Sequence, residues 1–201
     1  MGEAKAKDVA SVFNKISKGN ISTITETEAD SMGTLWHEIT HNRCTALSSK
    51  KLNKIQEGFD ELANEFTTRR TLHSLYEMLG VKEMPHPSMV YSGRHTAYEK
   101  SYQDYCYIIR RMGLKEEAVV RSVCDNHLTV MDDNQISVLA QGLLDGGLTF
   151  LPNAKGKARE IKLSDAEKLM KKMRMIDWSL GREERESVID DWLKKHGYIM
   201  K

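Results

Sequence analysis

A mainly α-helical fold, with at most a small β element, is what this sequence predicts, and three observations predict it. The 201 residues include only three prolines, the residue that interrupts helices most strongly. Leu, Met, Lys and Glu, all good helix formers, recur throughout. From about Lys51 to Leu79 the residues Leu52, Ile55, Phe59, Leu62, Phe66, Leu72, Leu75, Tyr76 and Leu79 return mostly at threes and fours, and Gly80 ends the run. That spacing is one face of a long helix, and glycine is the usual stop.

The other elements follow in order. Residues 8–18 carry Val9, Val12, Phe13 and Ile16 at helical spacing, and Gly19-Asn20 supplies a stop. Asn20 to Thr25 is rich in β-branched residues and is expected to form a short strand. Thr25 with Glu28 three residues on is a capping box, so a helix begins near residue 26 and runs to about Arg43. After the long helix, Pro85-His86-Pro87 forces an extended turn and Ser92-Gly93 punctuates the chain again. Thr96 to Met112 reads as a helix with Tyr98, Tyr102, Tyr105, Cys106 and Ile109 on one side; Glu116 to His127 and Asp133 to Leu144 read as two more, the second stopped by Gly146-Gly147. Residues 148–160 are basic and loop-like. Ser164 with Glu167 caps a further helix, in which Met170, Met173 and Met175 near Trp178 look like core filling. Arg182 to Lys195 forms the last helix.

This length fits one domain, 1–201, with its motif core over 20–112 and a helical C-terminal part over 113–201. The chain opens almost directly in helix-like sequence, which also suits a domain cut from a longer protein. Lys and Arg balance Asp and Glu to a net charge of +1, so no broad field favours nucleic acid or an anionic membrane as partner. The N-terminal residues lack the apolar core of a secretory signal and no apolar run approaches a bilayer span, so a cytoplasmic protein is expected. Cys44, Cys106 and Cys124 are odd in number with no CxxC spacing, which argues against a disulfide framework and a cysteine-based zinc site.

The chemistry concentrates in His37-Glu38-Ile39-Thr40-His41. Residues four apart share a helix face, so one turn aims both imidazoles at a single metal ion, with the Glu38 carboxylate beside it. A chain of this composition contains such a pattern by chance about 0.02 times. Zinc hydrolases use this arrangement, with a carboxylate placed to take a proton from the activated water. Leu35, Ile39, Thr40 and Asn42 are uncharged, as a helix crossing a protein interior requires, and Arg43 marks its emergence.

Nineteen residues follow before Glu61, in Asp60-Glu61-Leu62-Ala63-Asn64-Glu65-Phe66. Here the sequence resembles the gluzincin metallopeptidases, in which HExxH is followed by a glutamate ligand on a later helix and often by an acidic residue one turn on. The resemblance covers about residues 33–66. It implies zinc held by His37, His41 and Glu61, with Glu65 fixing an imidazole tautomer and Glu38 as general base in hydrolysis of a protein or peptide substrate. Glu61, Glu65, Thr68 and Leu72 share one helix face, which agrees; Glu65 or Asp60 remains an alternative ligand. More loosely, the segment is similar to zincin-like domains of phage and mobile-element proteins, which would imply a processing or host-directed role.

A hydrolase of this kind needs a second donor for the developing oxyanion. Tyr91, Arg94, His95, Tyr98 and Tyr102 are the candidates. Competing readings are a solvated acidic face for Glu61 and Glu65, core packing for the tyrosine stripe, and ordinary polar roles for His73, His86, His95, His127 and His196. At the level of function, the alternatives are a non-catalytic, metal-stabilised scaffold or phage or mobile-element assembly module, and a helical interaction domain with no metal.

Overall fold

A computed structural model describes residues 2–44, 51–90, 96–151 and 160–201, and among them the chain forms eight α-helices and no strand. The mainly α fold is therefore observed. Helix α1 spans Glu3–Ser17 and α2 spans Glu26–Arg43. The stretch expected as a strand is instead a single 3-10 turn, Ile21–Thr23: it makes its bonds locally, Ile24 N–H reaching the Ile21 carbonyl, and the described residues contain no strand to pair with it. The capping box is complete, with Glu28 N–H on Thr25 Oγ1 at 3.3 Å and Thr25 N–H on Glu28 Oε2 at 2.7 Å. Glu28 also accepts from Lys15 and Ser11, so the cap ties α1 to α2. The Lys15 ammonium beside it, foremost, holds its carboxyl at about 2.

The long helix α3 spans Lys54–Met78, three residues later than the apolar run suggested. The cause is Asn53, whose side chain accepts from Ile55 and Gln56 N–H while Gln56 reaches back to Asn53 N–H. At the other end Gly80 takes φ +79°, letting Val81 N–H bond the Tyr76 carbonyl. In the Pro85-His86-Pro87 turn, His86 adopts φ 52° and its Nε2 meets the Ile24 carbonyl at 2.8 Å.

Helices α4 (Glu99–Arg111), α5 (Glu116–His127), α6 (Gln135–Asp145), α7 (Leu163–Arg174) and α8 (Arg182–Lys195) complete the set. Helix α7 begins before Ser164: Asp165 accepts from Lys162 N–H at 3.3 Å and takes the capping role assigned to Glu167, which instead bonds Ser137. One antiparallel bridge, Phe150 with Tyr198, brings the C-terminal residues back beside the segment after α6.

Two apolar clusters form, and α3 runs through both. One gathers Val9, Val12, Met32, Trp36, Leu72, Leu75 and Tyr76 from α1, α2 and the end of α3; the other gathers Phe59, Leu62 and Phe66 with side chains of α4 to α8. Phe13 and Met175 were expected inside and are 41% and 78% exposed; Phe13 turns away from the α1 face that Val9 and Val12 bury, and Met175 lies just past the end of α7. Between the clusters α3 carries a buried polar stretch, Asn64, Glu65, Thr67, Thr68 and Arg69. Among the described residues no helix is long and apolar enough to cross a membrane.

Candidate metal centre

Helices α2 and α3 run antiparallel, since His41 lies by Asp60 and Glu61, His37 by Glu61 and Glu65, and Trp36 by Thr71, to whose Oγ1 its indole N–H donates at 2.9 Å. The α2 helix is half-buried rather than enclosed: Trp36 and Thr40 face the interior, whereas Glu38 and Asn42 are exposed. Its polar face is what the motif uses. His37 and His41 stand edge to face, ring centroids 4.9 Å apart and planes at 76°.

Glu61 Oε2 lies 3.2 Å from His37 Nε2 and 3.2 Å from His41 Nε2, and the three donor atoms lie within 4.8 Å of one another. Zinc bonds of about 2.0–2.2 Å in a tetrahedron hold neighbouring ligand atoms about 3.3 Å apart. Two edges of the triangle already have that length. Two imidazoles and one carboxylate are also the donor types a zinc ion takes at an open site, so the residues fit the ion. Side-chain exposures of 13%, 26% and 27% for His37, His41 and Glu61 leave the cluster reachable by water.

Behind the cluster lies a second layer. His37 Nδ1 meets Glu65 Oε2 at 2.9 Å, and Glu65 Oε1 accepts from Arg69 Nε at 2.7 Å. The Glu65 and Arg69 side chains are both 0% exposed, which excludes a solvated acidic face for Glu65. A buried carboxylate persists only where its charge is compensated. Arg69 does so from one side and in turn bonds Glu99, while its guanidinium lies over the Tyr102 ring at 4.0 Å. Asp60 sits differently, its Oδ2 at 3.8 Å from His41 Nδ1, beyond hydrogen-bond length.

The charges follow from this geometry. Burial opposes a charged His37, yet hydrogen bonds to Glu61 and Glu65 outweigh it and hold the ring at about 9. Burial likewise opposes an ionised Glu61, and the two imidazoles prevail and hold it at about 2. In the metal-free protein, protonated His37 thus offers an N–H to a carboxylate from each ring nitrogen. Asp60 is pushed up to about 6, chiefly by burial.

Of the oxyanion candidates, Tyr91, Arg94 and His95 lie outside the described residues. Tyr102 is fully buried in the core, with the Arg69 guanidinium over its ring and its hydroxyl beside Cys106. Tyr98 does come near: its ring is parallel to that of His37 at 6.3 Å. Burial first, then the adjacent Glu61 charge, push its hydroxyl up to about 12. Several supporting residues escaped sequence reasoning. Arg69 had a readable signal in its i, i+4 spacing from Glu65. Asn64, which donates to the His37 carbonyl at 3.1 Å and meets His127 Nε2 at 3.2 Å, had none. His127, read as an ordinary polar residue, is fully buried against Gln135.

No protein-family model, curated protein sequence or solved structure matches this chain.

Proposed function

We propose that this protein is a zinc-dependent metallopeptidase that hydrolyses peptide bonds in a protein or peptide substrate, with Glu38 as general base. One observation carries the reading: two imidazole Nε2 atoms and one carboxylate oxygen converge at water-accessible positions, while the outer nitrogen of His37 is held by a fully buried glutamate. His37, His41 and Glu61 would hold the ion. When bound, it lowers the pKa of a water and polarises a carbonyl. Glu65, itself fixed by Arg69, keeps the His37 proton on Nδ1 and so frees Nε2 to bind. Glu38, exposed on the same helix, accepts the proton of the attacking water and passes it to the leaving amine. The Tyr98 hydroxyl remains protonated at neutral pH and donates to the developing oxyanion.

The test is digestion of casein and a mixed peptide library by zinc-loaded wild type and Glu38→Gln. Cleavage by wild type that falls by about a hundredfold or more in the variant, with zinc content unchanged, supports the reading. Zinc that raises the melting temperature of both proteins, with neither cleaving, would replace it by a metal-stabilised scaffold, including a phage or mobile-element assembly module.

A further inference from the structure

Beside the metal cluster, Arg174 makes no hydrogen bond or ion pair with any described residue. Its guanidinium rests against α3 at Gly58, where an added Cβ would overlap it, and it lies over the Trp178 ring at 4.3 Å. Gly58 and Glu61 are three apart on α3, hence neighbours on one face. The Arg174 charge also acts on the Tyr98 hydroxyl, against the burial that pushes it up, so the guanidinium lies near Tyr98. The loop carrying Trp178 is fastened there by Lys100, which donates to the Trp178 carbonyl.

No described carboxylate pairs with Arg174. Those nearby are engaged elsewhere: Glu61 with the two imidazoles, Glu99 with Arg69 and Gln103, Asp177 with the Ser179 N–H. The segments outside the described residues contain no Asp or Glu in sequence. A half-buried arginine without a counter-ion, stacked on an indole and seated on a glycine, is preorganised to grip a planar anion with two parallel N–H bonds. With Lys54, Ile55, Ile176 and Trp178 it lines a shallow, open recess of 290 Å³ that combines two cations with apolar surface.

We propose that this recess is a carboxylate-binding subsite, in which Arg174 and Lys54 take a carboxylate of the peptide while Ile55, Ile176 and Trp178 cover an adjoining apolar side chain. The subsite rests on the metallopeptidase reading for its place in catalysis, and it makes the preferred substrates peptides bearing a carboxylate close to the scissile bond. Arg174 is here a specificity residue; it moves no proton.

Carboxylate recognition does not require the metal, so it is tested without it. Chelator-treated, metal-free protein is titrated calorimetrically with N-acetyl-leucyl-phenylalanine and its C-terminal amide, and with N-acetyl-glutamyl-phenylalanine amide and its glutaminyl counterpart, each up to about 10 mM. The acid of at least one pair should bind about tenfold or more tightly than its neutral partner, the first pair identifying a chain terminus and the second an acidic side chain. Arg174→Gln should erase the preference and Arg174→Lys restore part of it. Gly58→Ala, which displaces the guanidinium without altering it, should weaken the preference while the helical circular dichroism is unchanged. Equal binding of acid and neutral probes, no binding of any probe, or a preference that survives Arg174→Gln overturns the subsite. A carboxylate preference in a protein that never takes up zinc would instead retain the subsite and discard the peptidase.

Discussion

Replacing Glu65 by glutamine changes one atom and should cripple the metal site while sparing the fold. In the wild type one Glu65 oxygen accepts from Arg69 Nε and the other faces His37 Nδ1. A glutamine there must turn its only oxygen to Arg69, whose N–H can do nothing but donate. Its NH₂ then faces His37 Nδ1, which must become the acceptor. The ring proton moves to Nε2, the atom that points at Glu61, and a protonated Nε2 binds no metal. Losing such an outer carboxylate costs about 10- to 100-fold in metal affinity, or about 1.4–2.8 kcal/mol. Arg69 keeps Glu99 as partner, so the stability loss stays near that of one charge-assisted hydrogen bond, about 1.5–3 kcal/mol. Competition against a chromophoric zinc chelator measures the affinity, and urea unfolding of the metal-free proteins measures the stability. Zinc affinity within twofold of wild type in Glu65→Gln would refute the tautomer argument.

Three further outcomes are expected. Asp104→Asn leaves Arg185, 2% exposed, without its carboxylate, and should cost about 3–5 kcal/mol in urea unfolding. Gly142→Ala puts a methyl 2.6 Å from Val123 Cγ2 and 3.2 Å from the Tyr105 hydroxyl, an overpacking cost of about 1–3 kcal/mol visible as a lower melting temperature. The pH dependence of the metal-free protein has two sides. His37, raised to about 9, contributes stability fully below about 6.5 that is lost as pH rises through 9; Glu61, lowered to about 2, contributes stability above about 4.5 that is lost as pH falls through 2. Their single shared interaction is therefore complete between about pH 4.5 and 6.5, and zinc uptake at pH 7.5 should release the His37 proton, read by calorimetry in buffers of different ionisation enthalpy.

What the sequence made legible follows the range of the interactions. The helical class was readable because it rests on local periodicity, and so was the capping box at Thr25 and Glu28, closed within three residues. The pairing of His37 with His41 is equally local. Asn53 and Asp165 are local signals too, passed over because apolar spacing drew one boundary too early and Ser164 offered a rival cap. The strand expected at 20–25 rests on β-branched composition, and composition gives way where the described residues offer no partner strand. Asn64 and His127, or Arg174 on Gly58, meet only after the helices pack, so nothing in their spacing announced them. Met175 had the right residue type, and only the end of α7 decided that it faces solvent.

The proposed peptidase depends on one zinc ion held by His37, His41 and Glu61. Native mass spectrometry and elemental analysis of wild type, His41→Ala, Glu61→Ala and Glu38→Gln, each supplied with zinc and then desalted, test it most directly. Near-stoichiometric zinc is expected in wild type and Glu38→Gln, and none retained in the other two. Zinc-free wild type, or a wild-type amount of zinc in His41→Ala and Glu61→Ala, would contradict it.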